Sequence, residues 1–352
     1  MLTMGKRTHG GDWAAYLTEY GREPLDFSAN ISPLGVPEEV RRAIGEAAAR
    51  ADRYPDPDSR ALRAAIAARE GVSAEQVLCG SGAAELIWRA VRAAHPGRAL
   101  VTAPCFGEYE AALEAVGCGI VRHPLDGNFR LNAEFLEEID NNIEIVILCQ
   151  PNNPSGVSIE PALLRRIAAR CAETRTRLVL DECFVGFLDE PERYSLVPEL
   201  AMNPRLTILK AFTKLCGMAG VRLGCALSAD AAFLDAMRRE GPPWSVSSLA
   251  QAAGLAALRE TAYTERVRAL VRRERPWLRE QLCALGLTVV PGEANFLLFR
   301  SETPLDAPLR ERGILLRGCA DFAGLDGAWH RAAVRTHEEN ERLIAALREV
   351  LG

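Results

Sequence analysis

Lys214 lies just past an apolar run, Leu206-Thr207-Ile208-Leu209, that reads as a buried strand. Arg222 follows it by eight residues, in the glycine-containing turn Arg222-Leu223-Gly224. An earlier apolar run, Leu178-Val179-Leu180, ends in the acidic pair Asp181-Glu182. Taken alone, each is an ordinary residue at a strand end. Together they offer an amine that can condense with an aldehyde, a carboxylate for a ring nitrogen and a guanidinium for a phosphate. Pyridoxal 5'-phosphate (PLP) presents those three groups.

Other short segments fit the same ligand. Gly80-Ser81-Gly82-Ala83-Ala84-Glu85 joins a strand to a helix, and the free N–H groups of a helix start bind phosphate well. Many strand-to-helix turns are glycine-rich; with Arg222 and the Thr213 hydroxyl this one becomes a phosphate cup. Pro151-Asn152-Asn153-Pro154-Ser155-Gly156 is turn-forming by composition, and the Asn153 amide could donate to the phenolic oxygen of the cofactor. Phe106, behind another strand, could stack on the pyridine ring, although an aromatic there is commonly core. Tyr54, in Arg53-Tyr54-Pro55-Asp56, reads on its own as a surface turn residue.

These residues need elements to position them. Helical periodicity covers 38–51, 59–69, 83–94, 107–115, 133–139 and 161–173; short apolar strands cover 76–79, 99–102, 119–122, 144–149, 177–180, 206–209 and 223–227. Strands separated by amphipathic helices imply crossovers and a mostly parallel sheet covered on both faces. Ligands of such sheets sit at the carboxyl ends of strands, where 80–82, 150–156, Asp181 and Lys214 fall. Pro242-Pro243 interrupts the pattern. Helices over 246–259 and 263–285, strands near 287–290, 295–299, 314–316 and 332–334, and a last helix from His337 then make a smaller α+β unit. The expected division is a large domain over 45–243, and a small domain of 1–44, with an N-terminal arm, plus 244–352.

The bulk numbers are those of an ordinary soluble protein: 352 residues, 48% hydrophobic, 25% charged. A net charge of −5 gives no reason to expect nucleic acid or an anionic membrane as partner. No apolar segment follows the start Met1-Leu2-Thr3-Met4-Gly5-Lys6-Arg7, and no run approaches the roughly 18 residues of a membrane helix; the expected location is the cytoplasm. The ten cysteines form no C-x-x-C pair and read as buried, reduced thiols, and the five histidines lack metal-ligand spacing.

In type, order and spacing, these residues resemble fold-type I PLP enzymes of the class I/II aminotransferase superfamily, over almost the whole chain. The superfamily marks are Asn153-Pro154-Ser155-Gly156, Asp181-Glu182, Thr213-Lys214 and Arg222-Leu223-Gly224. Within it the chain is most similar to the L-threonine-O-3-phosphate decarboxylases of cobalamin biosynthesis, then to histidinol-phosphate aminotransferases. The decarboxylase marks are His9-Gly10-Gly11, the run 25–31, Pro33-Leu34-Gly35, Arg53-Tyr54-Pro55-Asp56, Pro243-Trp244-Ser245-Val246, Arg317-Gly318-Cys319-Ala320 and Asn340-Glu341-Arg342-Leu343.

The resemblance implies a three-layer α/β fold and PLP as cofactor. By it, Lys214 holds the cofactor covalently, Asp181 pairs with the ring nitrogen, Asn153 with the phenolic oxygen, and Phe106 stacks. Gly82, Ala83, Ala84, Thr213 and Arg222 hold the phosphate. Tyr54 reaches the cofactor phosphate of a neighbouring subunit, which implies a homodimer. Arg335 clamps the substrate α-carboxylate, while Arg317, His9 and Asn30 hold and orient a substrate phosphate. The implied reaction is decarboxylation of L-threonine O-3-phosphate to (R)-1-aminopropan-2-yl phosphate. Transamination of the histidinol-phosphate type and decarboxylation of serine phosphate are the alternatives, and the motifs are compatible with each. Four positions depart from relatives. Ala211 replaces Ser or Thr. Ser32 and Ser247 replace Asn of the decarboxylases, which would shorten two polar arms near the pocket. Phe184 replaces the tyrosine of many aminotransferases, a change the decarboxylases share.

Overall fold

The computed structural model describes residues 9–352; the reading of the first seven residues as lacking a leader lies outside them. A seven-stranded sheet forms from β1 (Val77–Gly80), β2 (Arg98–Ala103), β3 (Gly119–Pro124), β4 (Ile145–Cys149), β5 (Arg177–Asp181), β6 (Leu206–Ala211) and β7 (Gly224–Ser228). Its order is β1-β7-β6-β5-β4-β2-β3, and β7 alone runs against the others.

The apolar runs become central strands because both faces are covered. Every residue of β4 and β5 is buried. Side-chain alternation sends Val146, Leu148, Leu178 and Leu180 into one core, and Ile145, Ile147, Cys149 and Val179 into the other. Helices Arg60–Glu70, Pro161–Glu173 and Ser248–Ala257 cover the first core; Ala83–Ala94, Gly107–Ala115 and Ala231–Arg239 cover the second. This is the three-layer α/β arrangement with a mostly parallel sheet. All ten cysteines are free, and only Cys283 is exposed.

A second unit is built on a four-stranded antiparallel sheet of Thr288–Val289, Phe296–Arg300, Trp329–Ala333 and Arg317–Gly318. The strand Leu25–Asp26 pairs in parallel with Ile314–Leu315, which ties the chain's start to this unit. Its core gathers Phe27, Leu297, Phe299, Leu343 and Leu347. The expected boundary after residue 243 does not coincide with the packing. Val246, Ala250 and Ala253 join one core of the large sheet, and Tyr263, Val267 and Val271 the other. Leu278 and Leu282, farther along the same helix Thr261–Ala284, join the small core. The packing therefore divides within that helix.

Among helices of eight residues or more, two escaped the pattern reading, Trp13–Tyr20 and Ala231–Arg239. Both are short, and both start from an aspartate side chain, Asp12 onto Ala15 N and Asp230 onto Phe233 N. The helix read over 133–139 is only a 3-10 turn, Ala133–Leu136. Among the described residues, no helix is long and apolar enough to cross a membrane.

Strand alternation also separates Asp181 from its neighbour Glu182. Glu182 is buried, accepts from Ser195 Oγ at 2.7 Å and Leu196 N at 2.8 Å, and lies 3.7 Å from Lys210 Nζ on β6. Lys210 also meets Glu70 at 2.5 Å. Burial pushes the Glu182 pKa up, so the lysine matters to it. Lys210→Met should cost about 3 kcal/mol in urea unfolding, the low end of the ~3–5 kcal/mol for stripping a buried ion of its partner. A loss below about 1 kcal/mol would show that the two hydrogen bonds suffice.

Candidate active site

A cavity of about 850 Å³ opens at one edge of the large sheet and is lined from both units. Chain direction puts the chemistry there. β4, β5 and β6 are parallel, so Asn153, Asp181 and Lys214, which follow or end them, emerge on one side. β7 runs the other way, so its start, and Arg222 just before it, lies on that same side. Ala211 pairs with Gly224, so the connection 212–223 closes on itself and returns Arg222 to the edge that Lys214 left.

Lys214 sits on the one-turn helix Phe212–Leu215 after β6. Its carbonyl accepts from Ser32 N at 2.9 Å. Burial lowers its pKa from 10.5 to about 8, helped by the Arg331 guanidinium. The amine is thus within reach of its neutral, nucleophilic form near neutral pH. Asp181 is buried; Oδ2 accepts from Tyr109 Oη at 2.8 Å and Oδ1 from Cys183 N at 2.9 Å. Phe106 lines the cavity and meets the edge of Tyr109 at 5.6 Å. The T-shaped contact and the Tyr109 hydrogen bond thus support ring and carboxylate together.

The start of helix Ala83–Ala94 offers free amides to an anion. Gly82 caps it with φ +88° and no side-chain hydrogen bond, leaving the first amides available. A Cβ on Gly82 would lie 2.6 Å from Arg222 Nη2, so only glycine lets the guanidinium close over the turn. Arg222 itself holds φ +60°, a strain of roughly 1–2 kcal/mol for a residue with a Cβ. Ala83, Ala84 and Thr213 line the cavity. Lysine amine, carboxylate, uncapped amides and arginine fit the aldehyde, pyridine nitrogen and phosphate of PLP.

The far wall comes from the small unit. Arg331, on the strand Trp329–Ala333, is buried and faces the cavity. Its Nη1 donates to Asn153 Oδ1 at 2.6 Å and its Nη2 to Ser28 O at 2.9 Å, while Nε has no partner among the described residues. The Asn153 carbonyl is thereby engaged, which turns its NH₂ away as a donor. Burial holds the Arg331 pKa down near 10. Arg317 pairs with Arg331 across the two strands and also lines the cavity, as do Asn30 and His9. His9 Nε2 lies 3.1 Å from Glu108 Oε1.

Three residues, Arg335, Ser32 and Ser247, lie elsewhere than the sequence suggested. Arg335 does not line the cavity. It lies beyond the end of the strand, donating to Asp26 O at 3.1 Å and Glu339 Oε1 at 2.8 Å. Arg331, which sequence reading missed, lines the cavity instead; an arginine directly ahead of the buried Ala332-Ala333 was the available signal. Ser32 and Ser247 also lie outside the cavity lining. Ser32 Oγ meets Tyr263 Oη at 2.7 Å, and Ser247 Oγ caps helix Ser248–Ala257 through Ala250 N at 3.1 Å. Tyr54 is not in its own chain's cavity. It is 81% exposed and packs on Trp244 at 4.9 Å. Ala211 and Phe184 do line the cavity.

Comparison with known proteins agrees with this geometry. The sequence model for aminotransferase class I and II matches residues 22–347. The chain is 40% identical to the threonine-phosphate decarboxylase of Salmonella typhimurium, covering 99% of this chain and 98% of that one. It is 36% identical to a histidinol-phosphate aminotransferase of Anaeromyxobacter sp., over 95% and 93% of the two chains. Its fold matches the histidinol-phosphate aminotransferase of Sinorhizobium meliloti solved with pyridoxal-5'-phosphate, with a TM-score of 0.88, 25% identity, and 98% and 95% coverage. The chain therefore belongs to the aminotransferase class I and II family, and its cofactor is pyridoxal 5'-phosphate.

Proposed function

We propose that this protein decarboxylates a small phosphorylated amino acid, first of all L-threonine O-3-phosphate, giving (R)-1-aminopropan-2-yl phosphate for cobalamin biosynthesis. The observation that carries this reading is the pair Arg317 and Arg331, held in register on adjacent strands and facing one cavity with Lys214. Two guanidiniums suit a substrate with two anionic groups, a carboxylate and a phosphate. The similarity to the Salmonella decarboxylase over nearly the full chain supports it. Serine phosphate carries the same two anions. The similarity to histidinol-phosphate aminotransferases supports transamination as the second reading.

In this reading Lys214 attaches the cofactor, Asp181 keeps its ring nitrogen protonated and Asn153 donates to its phenolic oxygen. Phe106 stacks, and Gly82, Ala83, Ala84, Thr213 and Arg222 receive the phosphate. When bound, PLP supplies an electron sink for a bond broken at the substrate α-carbon. Arg331, in place of Arg335, holds the α-carboxylate; Arg317, with His9 and Asn30, holds the far phosphate. Gripping both ends fixes which α-carbon bond faces the ring, and so which bond breaks. The bond to the carboxylate breaks, carbon dioxide leaves, and a proton from Lys214 Nζ takes its place. Tyr54, exposed on its own subunit, serves the neighbouring subunit's site in a homodimer.

With L-threonine phosphate the enzyme should release carbon dioxide and form no glutamate from 2-oxoglutarate; glutamate formation with histidinol phosphate would establish the aminotransferase instead. Arg317→Ala and Arg331→Ala should each lower kcat/KM at least about tenfold, since a charge-assisted contact is worth roughly 1.5–3 kcal/mol.

The rate at which apoprotein captures PLP, followed by visible absorbance, should rise with pH through a midpoint near 8, where Lys214 is half neutral, and then level off. A rate still climbing at pH 10 would mark an ordinary lysine.

Sedimentation at assay concentration should find a dimer, and Tyr54→Ala should weaken PLP retention. An active monomer would refute the shared site.

A further inference from the structure

The first turn of helix Ala83–Ala94 carries an acid, Glu85, at the end that offers its amides to an anion. A carboxylate there is attracted to the same free amides and repels a phosphate. Glu85 is turned away from them. Its Oε2 accepts from Ser81 N at 2.5 Å, one residue before the Gly82 cap, and its Oε1 accepts from Arg89 Nη2 at 2.6 Å. A Cβ on Gly80 would lie 2.9 Å from Glu85 Oε2, so the bare glycine leaves room for that backward reach. Arg222 Nη2 donates to Ser81 O at 3.5 Å, so Ser81 is held at both of its backbone groups. Arg89 is only 4% exposed. Among the described residues its side chain bonds Glu85 alone, and its Nε has no partner. Its guanidinium lies where a Cβ on Gly241 would stand. A buried arginine with a single acid partner adds little to stability, which points to another task for the pair.

We propose that Glu85 and Arg89 are positioning residues for the cofactor phosphate: Glu85 fixes the Ser81 backbone just ahead of the helix, and Arg89 cancels the charge that Glu85 brings. The proposal rests on the reading that this helix start and Arg222 receive that phosphate. Neither Glu85 nor Arg89 lines the cavity, so both act through the turn. Ser81 leads into Gly82, whose φ of +88° sets the direction of the first amides. With Ser81 N tied to the helix's own first turn, that direction is fixed before the anion arrives. The arrangement is half of a capping box. The acid at the third helical position reaches back to the entering backbone, while the cap, a glycine, has no oxygen to occupy the amides. Once neutralised by Arg89, the acid leaves the helix end attractive to a dianion.

The test compares binding of PLP with binding of pyridoxal, which has the same ring and aldehyde and no phosphate. The full chain is reconstituted with each, and dissociation constants are read from the cofactor absorbance, with circular dichroism as the check on folding. Glu85→Ala and Arg89→Met should each weaken PLP about tenfold, the low end for a hydrogen bond to a charged group, and leave pyridoxal unchanged. Arg89→Met leaves the Glu85 charge bare, so adding Glu85→Gln to it should recover most of the loss, a non-additive pair. Equal weakening of PLP and pyridoxal would make the pair a general support of the fold and overturn the proposal. Unchanged PLP binding in either single variant, or a double variant no better than Arg89→Met, would overturn it too. Arg222→Ala separates these failures from that of the parent reading. If it weakens PLP and spares pyridoxal while the Glu85 and Arg89 variants change nothing, only the positioning pair falls. If it weakens both cofactors equally, the phosphate does not sit at this turn, and the pair's role falls with it. Glu85→Asp, too short to reach Ser81 N, and Arg89→Gln replace a variant that fails to fold, with the same expectations.

Discussion

One row of backbone across three strands holds the site together. Gly80 pairs with Gly224, and Gly224 pairs with Ala211. From Gly80 the chain runs into the uncapped helix start, from Ala211 into Lys214, and into Gly224 from Arg222. A Cβ at Gly224 would lie 2.8 Å from Ala83 N, 2.9 Å from the Gly82 carbonyl carbon and 2.9 Å from Lys210 O. These are backbone atoms, which cannot swing aside as a long side chain could. The distance between the uncapped helix start and the lysine is thus set by a close approach of backbones that a side chain would forbid. Small shifts in this row would move amine and anion site apart together.

The electrostatics follow from burying cations at this edge. Lys214, Arg331 and Arg317 face one cavity; Arg331 makes the Lys214 charge harder to hold, and Arg317 does the same to Arg331. The depressed Lys214 pKa has burial and the Arg331 guanidinium as its leading causes, and burial likewise depresses Arg331. Arginine, with its high intrinsic pKa, keeps its charge under that pressure, whereas lysine yields. The same environment therefore makes one cation a permanent anchor and the other a proton-exchanging amine. Asn153, also lining the cavity, accepts from Arg331 at 2.6 Å.

Much of this was legible in the residues. The helices 83–94, 107–115 and 161–173 form with the bounds their periodicity implied, and all seven strands of the large sheet lie within a residue or two of their apolar runs. Continuous apolar runs between amphipathic helices leave little choice of fold. The substrate wall was harder. Arg331 and Arg335 lie four apart in a segment where the strand ends, and only the pairing of Trp329–Ala333 with its neighbours decides which one faces inward. Ser32 and Ser247 went to local tasks, a hydrogen bond to Tyr263 and a helix cap, that no motif announces. Tyr109 carries no motif either, yet its hydroxyl is what fixes Asp181. Its place is set by tertiary packing between helix and sheet.

The pair Asp181-Glu182 shows how one sequence feature serves two ends. At the end of β5 the two acids point to opposite sides, as strand geometry requires. Asp181 meets Tyr109 and the cavity; Glu182 meets Ser195, Leu196 and Lys210 on the other side. Glu182 N also donates to Leu209 O at 2.9 Å, extending the pairing with β6 past Asp181. The inert acid therefore fastens the end of β5 to the strand that leads to Lys214. A carboxylate facing the cavity keeps its place only if its backbone cannot drift, and the neighbouring buried acid, gripped by a lysine of the next strand, supplies that rigidity. The two acids are read best as one device, with the reactive half facing the cavity and the anchoring half facing away.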